Sequence, residues 1–326
     1  MVKGKFLLTA LLVVLAASLL AARLGATQAM MIDLGTLGGD TSNALSINDR
    51  GQIVGSSEIA TGYIHAFLWE KGVMTDLGAL GGVHNSAFDI NNRGQVVGNG
   101  SLTYHAFLWE DGVMTDLDPL SGASGINDRG QVVGSSETAT GIYPRAFLWE
   151  KGVMTDLGAL GGIFSEASSI NNRGQVVGSS LTTSAKTHAF LWEDGIMTDL
   201  GTLVGNRSFA TDINNRGQVV GASEVVPGDY GYSHAFLWED GIMTDLGTLG
   251  GNRSFAYGIN NRGQMVGASD TATGEMHAFL WEDGVMTDLG TLGGDYSDVR
   301  DINERGQIVG WSKTAAGETH AFLWTK

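Results

Sequence analysis

Three short signatures, each present seven times, constrain the fold of this chain more than any other feature. They are I-N-x-R-G-Q-x-V-G, (H/R)-A-F-L-W and an Asp-Leu segment, and they alternate in a fixed order. Successive Asp residues of the third signature lie 43, 40, 40, 43, 46 and 43 residues apart. A repeat of this length is typical of one supersecondary unit that packs against its neighbours. The sequence therefore predicts seven similar units in a row.

Each repeat contains four strand-like segments, which we name strands a to d. In the second repeat, strand a is Ala87–Asn91, strand b Gln95–Gly98, strand c His105–Trp109 and strand d Val113–Leu117. The N-R-G turn joins a to b, and E-D-G or E-K-G joins c to d. Gly accepts the positive φ that tight hairpin turns require. We expect two antiparallel hairpins per repeat.

The hairpin turns also predict a pairing register. Counting back from the turn places Ile90 opposite Val97 in the a–b hairpin. In the c–d hairpin, the same counting places Trp69 opposite Met74. Apolar partners then face each other across both hairpins, as cross-strand pairing favours.

Strand c is apolar on both faces, with Phe and Trp on one and Ala and Leu on the other. A strand of this kind belongs to a sheet that is covered on both sides. Four antiparallel strands in about 40–45 residues is the size of a propeller blade. We expect the recurring tryptophans to be part of the core of each repeat: Trp69, Trp109, Trp149, Trp192, Trp238, Trp281 and Trp324.

The phase of the repeats predicts how the array closes. The repeats begin with a lone strand d, Met30–Gly35, and finish with strand c, Ala321–Trp324, which no strand d follows. The segments make seven blades of four only if the first strand completes the last blade. An open array would leave an unpaired edge and two uncovered ends. The expected fold is therefore an all-β, seven-bladed β-propeller, closed by pairing of the N-terminal strand with the last blade.

Residues 1–29 differ in composition from the repeats. Lys3 and Lys5 precede an apolar run from Phe6 to Ala22, and Thr27-Gln28-Ala29 offers small residues for cleavage. This pattern is typical of a secretory signal peptide, with an uncleaved N-terminal membrane anchor as the alternative. We expect residues 30–326 to form a single extracytoplasmic domain without further membrane insertion.

Charge and cysteine content exclude several classes of partner and site. The formal net charge is −16, which opposes binding to nucleic-acid phosphates. The chain has no Cys, so disulfides, thiolate metal sites and a Cys nucleophile are excluded. The sequence does not indicate an oligomeric state.

The motifs HAFLW, INNRGQVVG and MTDLGTLGG resemble the repeats of the HAF family of extracellular repeat proteins. The resemblance covers nearly all of residues 30–326, and the third repeat departs from it with Arg145 in place of His. It implies an extracytoplasmic location. It implies no activity, since the family has none to carry over.

Binding residues are expected on one face of the ring. The a–b and c–d turns are nearly identical in every repeat, whereas the b–c loops differ in length and composition. Varied loops on a repetitive scaffold are where binding residues concentrate. The candidate binding residues on this face are Tyr63, His84, Tyr104, Tyr143, Arg207, Tyr230, Tyr232, Arg253, Tyr257 and Tyr296.

The recurring His of strand c does not predict a metal site. Equivalent positions on neighbouring blades are roughly 15 Å apart, and a metal–nitrogen bond is about 2 Å, so one ion cannot bridge two blades. We expect hydrogen-bonded structural His residues, no metal and no cofactor. The chain also lacks the G-x-S-x-G, H-E-x-x-H and phosphate-loop motifs.

The leading interpretation is a secreted, non-catalytic propeller that binds an extracellular glycan or protein on the b–c loop face. A glycan-active hydrolase or lyase on the same scaffold is the first alternative, and a purely structural extracellular module is the second. An asymmetric pair of acids in a central pocket would favour the enzyme.

Overall fold

A computed structural model describes residues 29–80, 83–100, 105–118, 121–137, 143–229 and 231–326. The N-terminal segment 1–28, with the predicted signal peptide, lies outside the described residues. The described residues form 28 β-strands and no helix. No helix among them is long and apolar enough to cross a membrane.

The strands follow the predicted a-b-c-d order. The first is β1 (Met30–Asp33). Three groups of four follow it: β2 (Gly38–Ile47), β3 (Ile53–Ile59), β4 (Ile64–Glu70) and β5 (Val73–Asp76); β6 (Asn85–Ile90), β7 (Val96–Gly100), β8 (His105–Glu110) and β9 (Val113–Asp118); β10 (Ser121–Ile126), β11 (Val132–Glu137), β12 (Pro144–Glu150) and β13 (Val153–Asp156).

The second half of the chain repeats the same order. Its strands are β14 (Gly161–Ile170), β15 (Val176–Thr182), β16 (Thr187–Glu193) and β17 (Ile196–Asp199); β18 (Ser208–Ile213), β19 (Val219–Glu224), β20 (Ser233–Glu239) and β21 (Ile242–Asp245); β22 (Gly250–Ile259), β23 (Met265–Thr271), β24 (Met276–Glu282) and β25 (Val285–Asp288); β26 (Gly293–Ile302), β27 (Ile308–Thr314) and β28 (Thr319–Thr325).

The strands pair into five four-stranded antiparallel sheets and one eight-stranded sheet. The larger sheet contains β2 to β5 together with β26, β27, β28 and β1. The strand pairing between its two halves consists of one parallel residue pair, Thr41 with Thr319. An isolated bridge of the same kind links Thr187 to Arg207, between two sheets that are otherwise separate.

The c–d hairpins have the predicted register. Trp69 lies opposite Met74 and Phe67 opposite Asp76. The turn residues Lys71 and Gly72 have φ of 51° and 86°, the left-handed conformation of a type I′ turn. A Gly at the second turn position adopts this conformation without a steric penalty.

The predicted register of the a–b hairpin is wrong by one residue. Ile90 pairs with Val96, and Asp89 lies opposite Val97. The Asn91 amide donates to the Gln95 carbonyl oxygen at 3.1 Å, so the loop has three residues, and this odd number moves the register by one residue. Farther from the turn, the register shifts again between Ala87 and Asp89, as in a β-bulge. The same shift recurs in the other repeats, for example between Ala167 and Ser169.

The bulge explains the glycine that ends each R-G-Q-x-V-G motif. A Cβ on Gly98 would lie 2.0 Å from the carbonyl oxygen of Ser86 in the neighbouring strand. No side chain can be accommodated at that distance, so this position of strand b must be Gly for strand a to pair with it.

The core consists of clusters between adjacent sheets. In one of them, Val133 and Ala146 of one sheet pack against Ile170, Val176 and Phe190 of the next. The strand c phenylalanines are almost or completely inaccessible to solvent in all seven repeats. Six of the recurring tryptophans are partly buried, and Trp324 is buried.

Strand β1 pairs with β28, as the phase of the repeats predicts. The antiparallel register joins Met30 to Thr325 and Asp33 to Phe322. The amide of Leu34 donates to the carbonyl oxygen of Ala321 at 2.9 Å. The first strand of the repeat region therefore takes the place of strand d beside the last strand c.

Candidate functional site

A closed ring of hydrogen bonds runs through the first Asn of every I-N-x-R-G-Q motif. Asn91 Oδ1 accepts the amides of Arg93 and Gln95, which holds the a–b turn. Its Nδ2 donates to the carbonyl oxygen of Asn127 in the next repeat at 2.9 Å. The same bond recurs around the molecule and returns to its start at Asn303, whose Nδ2 donates to Asn48 O at 3.0 Å.

A second ring of hydrogen bonds lies beside the first. The side-chain oxygen of the residue after each Asn accepts an amide of the preceding repeat, as Asn215 Oδ1 does from Asn172 N at 2.8 Å. Asp49 Oδ1 accepts from Glu304 N at 2.9 Å and closes the circuit. These two rings, with the isoleucines of the motif, surround a cavity of about 330 Å³ at one end of the ring axis.

Strand a of each repeat lines the axis, and three of its carboxyl groups meet at a narrow waist. They belong to Asp89, Asp212 and Asp301, next to the motif isoleucine. Each accepts backbone amides of two adjacent repeats; Asp89, for example, accepts from Ile90 N and Ile126 N, both at 2.8 Å. The waist cavity is only about 110 Å³.

Burial raises the pKa of all three waist carboxyls. The pKa of Asp89 is raised to about 6 and that of Asp301 to about 7, while Asp212 is raised in the same direction. The three carboxyl groups line the central channel that follows the ring axis. They keep some solvent-accessible surface, although protein surrounds them on every side. Desolvation of the charged form is the largest cause, and mutual repulsion adds to it for Asp89 and Asp301.

One hydroxyl group, that of Ser46, contacts two of the waist carboxyls. Ser46 Oγ lies 2.8 Å from Asp89 Oδ1 and 2.8 Å from Asp301 Oδ2. A hydroxyl carries a single hydrogen and can donate to one carboxylate at a time. Both contacts are satisfied only when one of the two acids is protonated and donates to Ser46. The geometry thus agrees with the raised pKa values.

On the side of the waist away from the Asn rings, the channel widens into a cavity of about 450 Å³. Trp311 and Asn99 of strand b contribute to its wall. We call this cavity the channel mouth. One strand a residue of each repeat lies at the same level of its wall: Leu45, Phe88, Ser124, Ser168, Thr211, Tyr257 and Arg300.

The wall of the channel mouth is divided into two arcs. Tyr257, Arg300, Leu45 and Phe88 are consecutive around the closed ring and form an apolar and aromatic arc with one cation. Ser124, Ser168 and Thr211 complete the circle as a hydroxyl arc. Seven equivalent positions therefore carry a strongly asymmetric set of side chains.

Arg300 is held between two aromatic rings. Its guanidinium carbon lies 4.1 Å from the centroid of Tyr257 and 4.7 Å from that of Trp311, both within cation–π range. Nη2 contacts Asp298 Oδ2 at 3.4 Å. Burial raises the pKa of Tyr257 to about 12, with the carboxylate of Asp298 as a second cause.

The candidate residues predicted from sequence do not form one cluster. Tyr257 lines the channel mouth. The Tyr296 hydroxyl lies 3.3 Å from Asp298 Oδ2, the same carboxylate oxygen that contacts Arg300 of the mouth. Tyr63 contacts the ring of His84 edge-on at 5.6 Å, and the Ile64 amide donates to His84 Nδ1.

The remaining candidates lie on other parts of the same face. Arg253 forms a bidentate contact with Asp270, at 2.8 and 3.1 Å, and Arg207 lies 4.0 Å from Glu224. Ion pairing of this kind holds a loop in place. Tyr143 and Tyr232 are exposed at 50% and 39%, which leaves their rings accessible. Tyr104 and Tyr230 lie outside the described residues.

Sequence reasoning missed the main residues of the channel. Phe88, Arg300 and Trp311 at the mouth and Asp89 and Asp301 at the waist were assigned no role. The signal was present: the two positions before the Ile of each I-N motif vary between repeats, whereas the motif itself does not. That variation gains meaning only once strand a is known to line the axis.

The recurring His residues are hydrogen-bonded, as expected. In six repeats, Nδ1 of the strand c His contacts the strand d Asp at 2.7–2.9 Å. In the third repeat, Arg145 Nε lies 3.5 Å from Asp156. Within the described part of the chain, no group of three or more His, Cys, Asp or Glu side chains could hold a metal ion.

Comparison with solved structures identifies the architecture. A puromycin-hydrolyzing peptidase of Mycobacterium tuberculosis aligns over 91% of this chain with a TM-score of 0.59 and 12% identity. The WD40 β-propeller domain of Doa1 aligns over 90% of this chain and 96% of its own, with a TM-score of 0.55 and 14% identity. The fold is that of a β-propeller.

A further propeller, that of the Trilobed protease from Pyrococcus furiosus, aligns over 80% of this chain and 98% of its own, with a TM-score of 0.52 and 12% identity. This chain spans only about half, 51%, of the M. tuberculosis peptidase. No protein-family model and no curated protein matches the chain. At such low identities the similarity establishes the propeller fold and no function.

Proposed function

We propose that this chain is a secreted, non-catalytic binding protein of the HAF family, built as a seven-bladed propeller. The seven-member Asn ring and the pairing of β1 with β28 support the blade count. The tripled repeat signature supports the family. The signal-like pattern of residues 1–29 supports secretion.

The ligand, an extracellular glycan or protein, binds on the b–c loop face at the channel mouth. The observation that carries this proposal is the division of the wall into a hydroxyl arc and an aromatic, cationic arc. The turn rings at the opposite end are nearly identical in every repeat, as a purely structural role requires. Residues that serve only to close the ring would not need to differ between repeats at the mouth, so the asymmetry favours ligand binding over a structural module.

A glycan-active hydrolase or lyase is the second candidate function. The waist acids favour it, because Asp89 and Asp301 lie on either side of one hydroxyl and have raised pKa values, as acid–base pairs do. The waist cavity of about 110 Å³ argues against it, since small-molecule sites occupy about 300–1,000 Å³.

The proposal is tested by screening the full chain against a glycan array and a peptide array beside a Ser168→Trp variant. The indole at position 168 fills the channel mouth from the hydroxyl arc. We expect native binding to members of one array and loss of that binding in the variant, with circular dichroism unchanged. Equal binding by both proteins, or no binding to either array, would contradict a site at the channel mouth.

A further inference from the structure

We propose that the channel mouth binds the terminal sugar residue of a neutral glycan. This inference rests on the binding function proposed above and names its ligand class. It follows from three properties of the cavity: its hydroxyl arc, the charge balance around Arg300, and its depth.

The hydroxyl arc offers hydrogen bonds that the protein does not use itself. Ser124 and Ser168 make no side-chain hydrogen bond to any described residue, whereas Thr211 Oγ1 donates to Ala256 O at 2.8 Å. The Asn99 side chain accepts from the amide of Ala123 through Oδ1 at 2.8 Å, and its Nδ2 donors remain available. Ligand hydroxyls match this set, because each can donate to one group and accept from another.

The opposite arc offers an apolar surface. Phe88 is 38% exposed, although it points towards the axis of a closed ring. Leu45 lies beside it and lengthens the apolar wall. A pyranose has one face of C–H groups and an edge of hydroxyls, so it can pack its face against Phe88 while its hydroxyls reach Ser124 and Ser168.

The charge balance favours a neutral ligand over an anionic one. The faces of the Arg300 guanidinium are covered by Tyr257 and Trp311, so its N–H edge is what remains for a ligand. Its charge is already matched by Asp298, which is only 3% exposed. The waist carboxyls below would repel a second anion. Arg300 therefore acts as a hydrogen-bond donor to sugar oxygens.

The depth of the channel favours a chain end over the interior of a polymer. The mouth cavity of about 450 Å³ has the volume of a small-molecule site. It narrows to about 110 Å³ where Ser46 joins Asp89 to Asp301. A glycan that enters along the axis is stopped at this waist. One terminal residue occupies the mouth, and the rest of the chain extends towards the b–c loops.

The test is isothermal titration of the full chain with methyl glycosides of glucose, galactose, mannose, fucose, N-acetylglucosamine and glucuronic acid. We expect a neutral glycoside to bind, with at least tenfold weaker binding in Phe88→Ala and in Ser168→Val, which removes the hydroxyl and keeps the shape. Val285→Ala, at an exposed c–d turn, is the matched control and should bind within twofold of the native chain.

A second titration tests the end-group specificity. Two oligosaccharides carry the best-bound sugar at the chain end or within the chain, and only the first should bind. Preference for the glucuronide, equal binding of the internal sugar, or native affinity in both mouth variants would overturn the inference. Binding to peptides alone, abolished by Ser168→Trp, would overturn it while leaving the proposed binding function intact.

Discussion

His320 Nδ1 lies 2.7 Å from Asp33 Oδ2, although 287 residues separate them in sequence. The pair has the geometry of the His277–Asp288 pair within a single hairpin, where the distance is 2.8 Å. Both aspartates also accept a turn Gly amide at 2.8 Å. The closure between β1 and β28 thus reproduces, without a covalent turn, the contacts of an ordinary c–d hairpin.

These matched pairs give the first prediction. Asp33→Ala and Asp288→Ala each remove the same two contacts, but only β1 lacks a hairpin turn that returns it to its partner. We expect Asp33→Ala to lower amide protection in β28 strongly and Asp288→Ala to leave protection in β24 largely intact. Native-state hydrogen exchange measures the difference, and equal effects in the two strands would show that β1 contributes no more than any other strand d.

The Asn ring gives the second prediction. Asn171 is buried and makes four hydrogen bonds, to Arg173, Gln175 and the next repeat. Asn171→Ala leaves those groups unpaired and should cost about 2–4 kcal/mol of unfolding free energy. Asn172→Ala is the control. The Asn172 side chain is exposed in the second ring of hydrogen bonds, and its loss should cost less than about 1 kcal/mol. Denaturant unfolding tests both; similar costs would mean that the Asn ring is not a main stabilising element.

The waist acids give a pH prediction. Asp301 has a pKa raised from 3.8 to about 7, so the folded chain holds a proton that the unfolded chain releases at lower pH. The free energy of unfolding should therefore fall as pH rises from about 4 to 7, and stay low above that range. Asp301→Asn should reduce this loss of unfolding free energy by about 2–4 kcal/mol, which is the scale that the pKa shift of Asp301 implies.

Urea unfolding at pH 4.5 and pH 8 measures the effect. Asp295→Asn is the control, since Asp295 is exposed and the Lys313 ammonium lowers its pKa instead. A native chain that is equally stable at both pH values would show that the waist carboxyls are ionised throughout.

The core gives a fourth prediction, which compares two residues of strand β16 that differ in burial. Phe190 is fully buried between two sheets, whereas Trp192 is partly buried at the edge of the same cluster. Phe190→Ala should cost about 3–5 kcal/mol, as large-to-small core changes do, and Trp192→Ala clearly less. Thermal unfolding compares them, and a larger cost for Trp192 would reverse this order of burial.

The sequence predicts the repeated architecture well because its signatures are local. The turn residues Lys71 and Gly72 determine the c–d register, and the phase of Met30–Gly35 anticipates the pairing with β28. The a–b register differs from the expected one because the turn closes as a three-residue loop between Asn91 and Gln95, whereas counting from an even-numbered loop places Ile90 opposite Val97. The bulge between Ala87 and Asp89 has no sequence signature of its own either.

The channel could not be predicted in the same way. Tyr257 was expected among the loops, but it lies on strand a beside Arg300, and the two contact each other only because strand a lines the axis. The pKa values of Asp89 and Asp301 depend on burial by neighbouring repeats, some more than 200 residues away in sequence. No spacing along the chain encodes such a contact.

Closure of the ring by β1 is the central claim, and one comparison tests it most directly. The chain starting at Met30 and the chain starting at Thr36 differ only by β1 and the two residues after it. Their free energies of unfolding, measured with denaturant, should differ by several kcal/mol, and the shorter chain should have the lower midpoint. The reason is that the shorter chain leaves the edge of β28 unpaired and uncovers Leu323. Identical midpoints and identical m-values would contradict closure by β1.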